Sequence, residues 1–363
     1  MNIKILTAII LAAVILLTSY PAIAQQSVAA KNKYKIAKNM AMSGRLKDAE
    51  KELEDALKLD GHYGDALYLM GLIQIENKNY EKAVECFKKV ISEQPKFYTA
   101  RLYLANAYMA MNDVQKATEQ VDYYITNMPS DASGHYAKGV LCYMAGDLNG
   151  AVKAWDKAIS LQKEHAYAHY NRGVALFRLD KHDEGINSVK KALELKTTNA
   201  VYRFTLAHMQ YLHGRTSDAM KEFKYLEEAA PSAHTGLTAA GFRLLTEEKY
   251  DEAAAKADEA LKIEGSFSPA MELKSMALEK KEDFDGAIKM CEQILKNDKN
   301  DKNASERIKL LKELKEKKAA EAVKSEDGSS GNSSETETTG SEESEKNAED
   351  ASGEIVCQEN MKI

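Results

Sequence analysis

Residues 71–95 read GLIQIENKNYEKAVECFKKVISEQP, and residues 139–162 read GVLCYMAGDLNGAVKAWDKAISLQ. A glycine opens each stretch, an alanine follows twelve residues later (Ala83, Ala151), and a large aromatic comes four residues after that (Phe87, Trp155). The two stretches start 68 residues apart, twice 34. Apolar residues inside them recur at three- and four-residue steps, the spacing of a helix face. Self-similarity at a fixed period of this length marks a stacked array of helical units.

Steps of 34 residues in both directions extend the pattern. Blocks begin at Ala30, Gly64, Tyr98, Ala132, Ala166, Ala200, His234 and Ser268, and the last ends at Asp301, with no insertion or deletion. The twentieth place of the blocks holds Ala49, Ala83, Ala117, Ala151, Gly185, Ala219, Ala253 and Ala287. The eighth holds only small residues, among them Gly71, Gly139 and Gly173. We read Gly71, Ala83, Gly139, Ala151, Gly173, Gly185 and Ala219 as points where two antiparallel helices approach closely. An alanine at Gly185 is expected to stabilise its helix by removing a flexible residue. The twenty-fourth place carries filling side chains such as Leu53, Phe87, Trp155 and Phe223, so small and large residues alternate as interdigitated packing requires. Gly44, Gly146 and Gly214 fall between the two helices of a block, where a positive φ is wanted. Pro95, Pro129 and Pro231 fall where the second helix must stop.

This order of small, small, aromatic and proline positions resembles the tetratricopeptide repeat family over residues 30–301. The resemblance implies an all-α fold: a right-handed superhelical solenoid of eight helix-turn-helix repeats (30–63, 64–97, 98–131, 132–165, 166–199, 200–233, 234–267, 268–301) with a C-terminal capping helix. It further implies an inner, concave wall made by the first helix of each pair. The chain departs from the family pattern in lacking proline at Lys163, Thr197 and Lys299, and in a lysine-rich first repeat.

The ends of the chain have their own composition. Lys4, the apolar run 5–17 and the small residues Ala22-Ile23-Ala24 form a tripartite export signal, expected to be cleaved after residue 24. A retained N-terminal membrane anchor is the alternative, because Lys31, Lys33, Lys35 and Lys38 follow closely. Residues 25–29 read as a short extension. Residues 302–323 place Ala304, Ile308, Leu311 and Leu314 on one helix face, which suits a solvating cap on the eighth repeat. Residues 324–363 are rich in Ser, Glu, Thr and Gly, too poor in apolar side chains to repay ordering, and read as an acidic disordered tail.

Charge narrows the function classes. From Val323 to Ile363 there are 11 acidic residues and 3 lysines, a net −8, which leaves the rest at +2 of the total −6. A near-neutral body argues against nucleic-acid binding, which needs a strongly basic face. The eight histidines are scattered, no phosphate loop or nucleophile motif occurs, and neither a metal site, a cofactor nor an enzyme activity is expected. Cys86, Cys142, Cys291 and Cys357 lack metal-ligand spacing, and the first three read as small buried hydrophobes.

The resemblance places a peptide groove at the second, fifth, ninth, twelfth and thirteenth places of the first helices, and the candidates fall at the fifth, ninth and twelfth. Here these are Tyr68, Leu72, Tyr136, Val140, Tyr143, Tyr170, Val174, Phe177, Phe204, His208 and Tyr211. Aromatics at these places also occur for structural reasons, so a core role is the competing reading. The family's two-carboxylate clamp needs Lys at place five, which no block has. The expected function is a non-catalytic protein–protein interaction scaffold, periplasmic or in the cell envelope if bacterial, binding a protein or peptide segment in the groove. The rival is an accessory subunit of an envelope polysaccharide assembly or secretion complex. Self-association through the groove, the tail or Cys357 stays open.

Overall fold

The computed structural model describes residues 27–299 and 301–326. The expected signal (1–24) and the segment from 327 onward, Cys357 included, lie outside the described residues. The described residues contain seventeen helices and no strand: α1 (27–42), α2 (Leu46–Leu59), α3 (Gly64–Glu76), α4 (Tyr80–Glu93), α5 (Tyr98–Ala110), α6 (Val114–Asn127), α7 (Ala132–Met144), α8 (Leu148–Leu161), α9 (Ala166–Arg178), α10 (His182–Leu195), α11 (Ala200–Leu212), α12 (Thr216–Ala229), α13 (His234–Thr246), α14 (Tyr250–Ile263), α15 (Ser268–Lys280), α16 (Phe284–Asn297) and α17 (Lys302–Glu326). From α3 to α15 each odd-numbered helix opens on the first residue of a 34-residue block. The chain is already helical at Ser27, ahead of the first block, because nothing in Ser27-Val28-Ala29 breaks a helix; α17 runs three residues past the expected end of the cap.

The two helices of a repeat pack as an antiparallel pair, and within each unit first helices also touch one another, α3 on α5 and α5 on α7 in one, α11 on α13 and α13 on α15 in the other. The composition of the two classes follows. Helix α13 buries Thr235 through Phe242 without a break, together with Leu244 and Leu245, because it is covered on several sides. Its partner α14 buries only Ala253, Ala257 and Ala260, one stripe of an otherwise polar helix. The helices form two compact units, one ending at Ala168 and the other beginning at His169. In the second, α17 lies on α16 and buries Ala304 and Leu311 against Cys291 and Ile294.

Each turn inside a pair holds one left-handed residue. Gly44, Gly146 and Gly214 take φ of +77°, +79° and +76°. Lys78, Asn112, Asp180, Glu248 and Glu282 hold the same place with φ between 57° and 66°, although they carry a Cβ.

The small residues divide into two kinds. Gly71 and Gly139 are sockets: a methyl at Gly71 would fall 2.7 Å from the Phe87 ring, and one at Gly139 would strike the Trp155 indole. In both, the twenty-fourth residue of the block occupies the space the glycine leaves. Gly173 and Gly185 are different. A Cβ on either would lie 2.8 Å from the carbonyl oxygen of the other, so the α9 and α10 backbones themselves meet. This corrects the expectation for Gly185, where an added methyl meets backbone that cannot swing aside. Ala83, Ala151 and Ala219 are fully buried.

Candidate functional site

In the first unit α3, α5 and α7 lie side by side and bring the fifth, ninth and twelfth places onto one wall. Tyr68 is half-buried among aromatic rings, with centroids 4.9 Å from Phe97, 5.5 Å from Tyr103 and 6.0 Å from Phe87. Burial pushes its phenol well above the ordinary value. Leu72 is also half-buried. Tyr136 is only 6% exposed, stacked on the His165 ring at 4.9 Å, and its carbonyl accepts from Trp155 Nε1 at 3.2 Å. Val140 is buried, while Tyr143 is half-buried with its ring 6.1 Å from Trp155.

A pocket of about 40 Å³ opens on this wall between the third and fourth repeats, lined by Leu102, Asn106, Met109, Ser133, Tyr136 and Val140 among others. Two of the groove residues read from sequence, Tyr136 and Val140, therefore supply part of its lining. Leu102, Met109 and Ser133 were not singled out from sequence, yet they occupy the fifth, twelfth and second places of their repeats. Asn106 stands at the ninth place, the one half-buried amide of the lining, and offers both a donor and an acceptor.

The corresponding wall of the second unit is filled by its own side chains. Tyr170 is buried, stacked on Tyr202 at 4.6 Å, with its hydroxyl 3.2 Å from Thr205 Oγ1. Val174 is half-buried, and Phe177 packs on His182 at 4.6 Å. Phe204 is buried between Phe223 and Phe267. His208 and Tyr211 both lie against Phe242, at 5.3 and 5.0 Å, and Phe242 is fully buried, as is Thr238 one turn before it. His208 Nε2 stands 3.1 Å from Glu272 Oε2 on α15, two repeats on. Burial alone would raise the Glu272 carboxyl, but His208 and Arg307 offset it and hold the group below the usual carboxylate range. Arg178 reaches Asp298 at 2.5 Å and Asp180 reaches Lys302 at 3.0 Å, tying the α9–α10 turn to the chain just ahead of and within α17.

Among the described residues no group of His, Cys, Asp and Glu could hold a metal ion, and no helix is long and apolar enough to cross a membrane. Cys86, Cys142 and Cys291 are free thiols; Cys291 is buried, whereas Cys86 and Cys142, expected to be buried too, are only half-buried, and desolvation raises all three, Cys86 to about 11.

Comparison with known proteins follows the same register. Residues 40–96, 74–139 and 166–199 match family models described as tetratricopeptide repeat, and residues 139–180 match one described as TPR repeat. A TPR repeat-containing protein of Methanocaldococcus jannaschii is 32% identical over 96 residues, which is 26% of this chain and 17% of that protein. A tetratricopeptide repeat protein from Parabacteroides merdae superposes with a TM-score of 0.56 at 15% identity, covering 69% of this chain and 99% of that one. The Cut9–Hcn1 hetero-tetramer of the APC/C gives a TM-score of 0.52 at 16% identity, over 74% of this chain and 52% of that one. At these identities the structures speak for the fold.

Proposed function

We propose that this chain, a tetratricopeptide-repeat protein, is a non-catalytic interaction scaffold of the cell envelope or secretory compartment that holds a partner segment on the first unit's α3–α5–α7 wall. The fold is one that supports protein–protein interaction, and its relatives are generally non-catalytic. The observation that carries the reading is the contrast between the two units. The first leaves a pocket at the ninth-place Asn106, whereas the second buries Thr238 and Phe242 at the equivalent fifth and ninth places of the seventh repeat. A segment entering the pocket would rest apolar side chains on Leu102, Met109 and Val140 and exchange hydrogen bonds with Asn106. Chains with this mode of recognition gain affinity from a few buried anchors rather than from total area.

The test is capture from an envelope extract by the wild-type chain and by Asn106→Arg, which fills the pocket with a cation. Loss of one dominant protein partner in the variant, with an unchanged melting curve, supports the reading. Equal capture by both proteins contradicts the site. Recovery of glycan in place of a protein supports the rival, an accessory subunit of envelope polysaccharide assembly.

A further inference from the structure

We propose that the solvent face of α1 is a docking strip for an anionic lipid surface. Residues 1–47 contain seven basic side chains (Lys4, Lys31, Lys33, Lys35, Lys38, Arg45, Lys47) and no aspartate or glutamate, in a chain whose net charge is −6. The helix sorts these charges. Ala30, Ala37 and Ala41 are buried on the inner face, and the Tyr34 ring packs at 5.3 Å on Tyr63. Lys33 turns the same way and pairs with Glu52 at 2.9 Å and Asp55 at 3.3 Å. On the outer face Val28, Lys31, Lys35, Lys38 and Met42 follow one another at steps of three, four, three and four residues, and so form one strip. All five are exposed, Val28 by 58% and Met42 by 64%, with Ile36 beside the strip at 45%. The strip is about 20 Å long at the rise of an α-helix.

Two features of its surroundings leave this strip unmatched. Of the carboxylates of α2, the helix packed against it, Glu52 and Asp55 hold Lys33 and Glu50 accepts from Gln74 Nε2 at 2.7 Å, while Asp48 and Glu54 form no ion pair with the strip among the described residues. No ion-pair partner of Lys31, Lys35 or Lys38 is found among the described residues. The apolar side chains are also unexplained by packing, because nothing in the described residues covers the outer side of α1. A helix with lysines between exposed apolar side chains on one face fits a lipid interface. Val28 and Met42 enter the acyl boundary while the lysine stems lie along it and carry their ammonium groups to the phosphates. The strip is one face of a single helix, and an acidic macromolecule would leave the apolar pair in water. In sequence, the strip begins eleven residues after the apolar run 5–17.

The experiment uses the full chain carrying Val28→Trp. Trp155 is fully buried and contributes a constant signal, so a change in emission reports the introduced indole. Vesicles of phosphatidylglycerol mixed with phosphatidylcholine should shift the emission to the blue, and phosphatidylcholine alone should not. Each lysine near an anionic surface is worth about a factor of five in partitioning, so K31Q/K35Q/K38Q should weaken the response by on the order of a hundredfold. High salt should reverse it. Any of three results overturns the proposal: no shift with anionic vesicles, an equal shift with phosphatidylcholine, which would assign binding to the upstream run, or a full response in the triple variant. A shift present without lipid and lost on deleting residues after 327 would assign the strip to the chain's own acidic segment instead.

Discussion

His208 on α11 and Glu272 on α15 meet at 3.1 Å across the intervening helix, joining repeats six and eight on the wall where the family keeps its groove. The pair is mostly shielded, with 14% and 19% of the two side chains exposed. Its contribution to stability depends on Glu272 being ionised. The folded carboxyl lies below its unfolded value, so the stabilisation is complete above about pH 4.3 and is lost as the pH falls through the folded value. Glu272→Gln should cost on the order of 1 kcal/mol at pH 7, as for a charge contact that is only partly shielded from solvent. The difference from wild type should shrink towards pH 3. Urea melts at pH 7, 5 and 3 check this, and a difference that stays constant with pH would refute it.

The Gly173–Gly185 contact sets a second expectation. Gly185→Ala should destabilise by about 1–3 kcal/mol, since backbone on both sides must move to admit the methyl. Ala151→Leu and Ala219→Leu should cost a similar amount, because both alanines are fully buried. Thermal melts of the three variants decide it. A Gly185→Ala protein more stable than wild type would show that α9 and α10 can part.

The left-handed turn residues offer the opposite direction. Glu248 and Glu282 hold φ of +61° and +66°, which costs a residue with a Cβ about 1 kcal/mol or more. Glycine removes that strain but frees the unfolded chain, so Glu248→Gly or Glu282→Gly should gain up to ~1 kcal/mol. Gly146→Ala should lose stability by a comparable amount, although nothing lies within 4 Å of the added methyl. Equal melting of all three would remove strain from the turn as an explanation.

Cys86 should resist alkylation at pH 8, because its thiol titrates near 11 and the attacking species is the thiolate. Reactivity should climb steeply between pH 9 and 11. Peptide mapping after timed iodoacetamide treatment of the native protein measures it, and rapid labelling of Cys86 at pH 8 would contradict its placement.

Much of this architecture could be read from residue order alone. The 34-residue register fixes where α3 through α15 begin, because a helix pair that must stack on copies of itself cannot shift its small and large residues independently. Gly139 and Trp155 illustrate this: one is small because the other is large, and both recur at fixed places. What residue order could not separate was an aromatic that lines a groove from one that fills it. Tyr68, Phe204 and Phe242 occupy comparable places in their repeats. Their exposure depends on contacts made by residues far apart in sequence, such as the His208–Glu272 pair that crosses two repeats in the second unit. The same limit explains Gly185, where a local helix preference favoured alanine and a close approach from α9 forbids it.

The central claim is that a partner segment enters at Asn106 in the first unit while the second unit's equivalent wall stays shut. A photo-crosslinking residue placed at Asn106, and separately at Met276, the half-buried ninth-place residue of repeat eight, tests it most directly. Irradiation in an envelope extract should give one dominant crosslinked protein from position 106 and none from position 276. Crosslinking from 276 with silence at 106 would contradict the account.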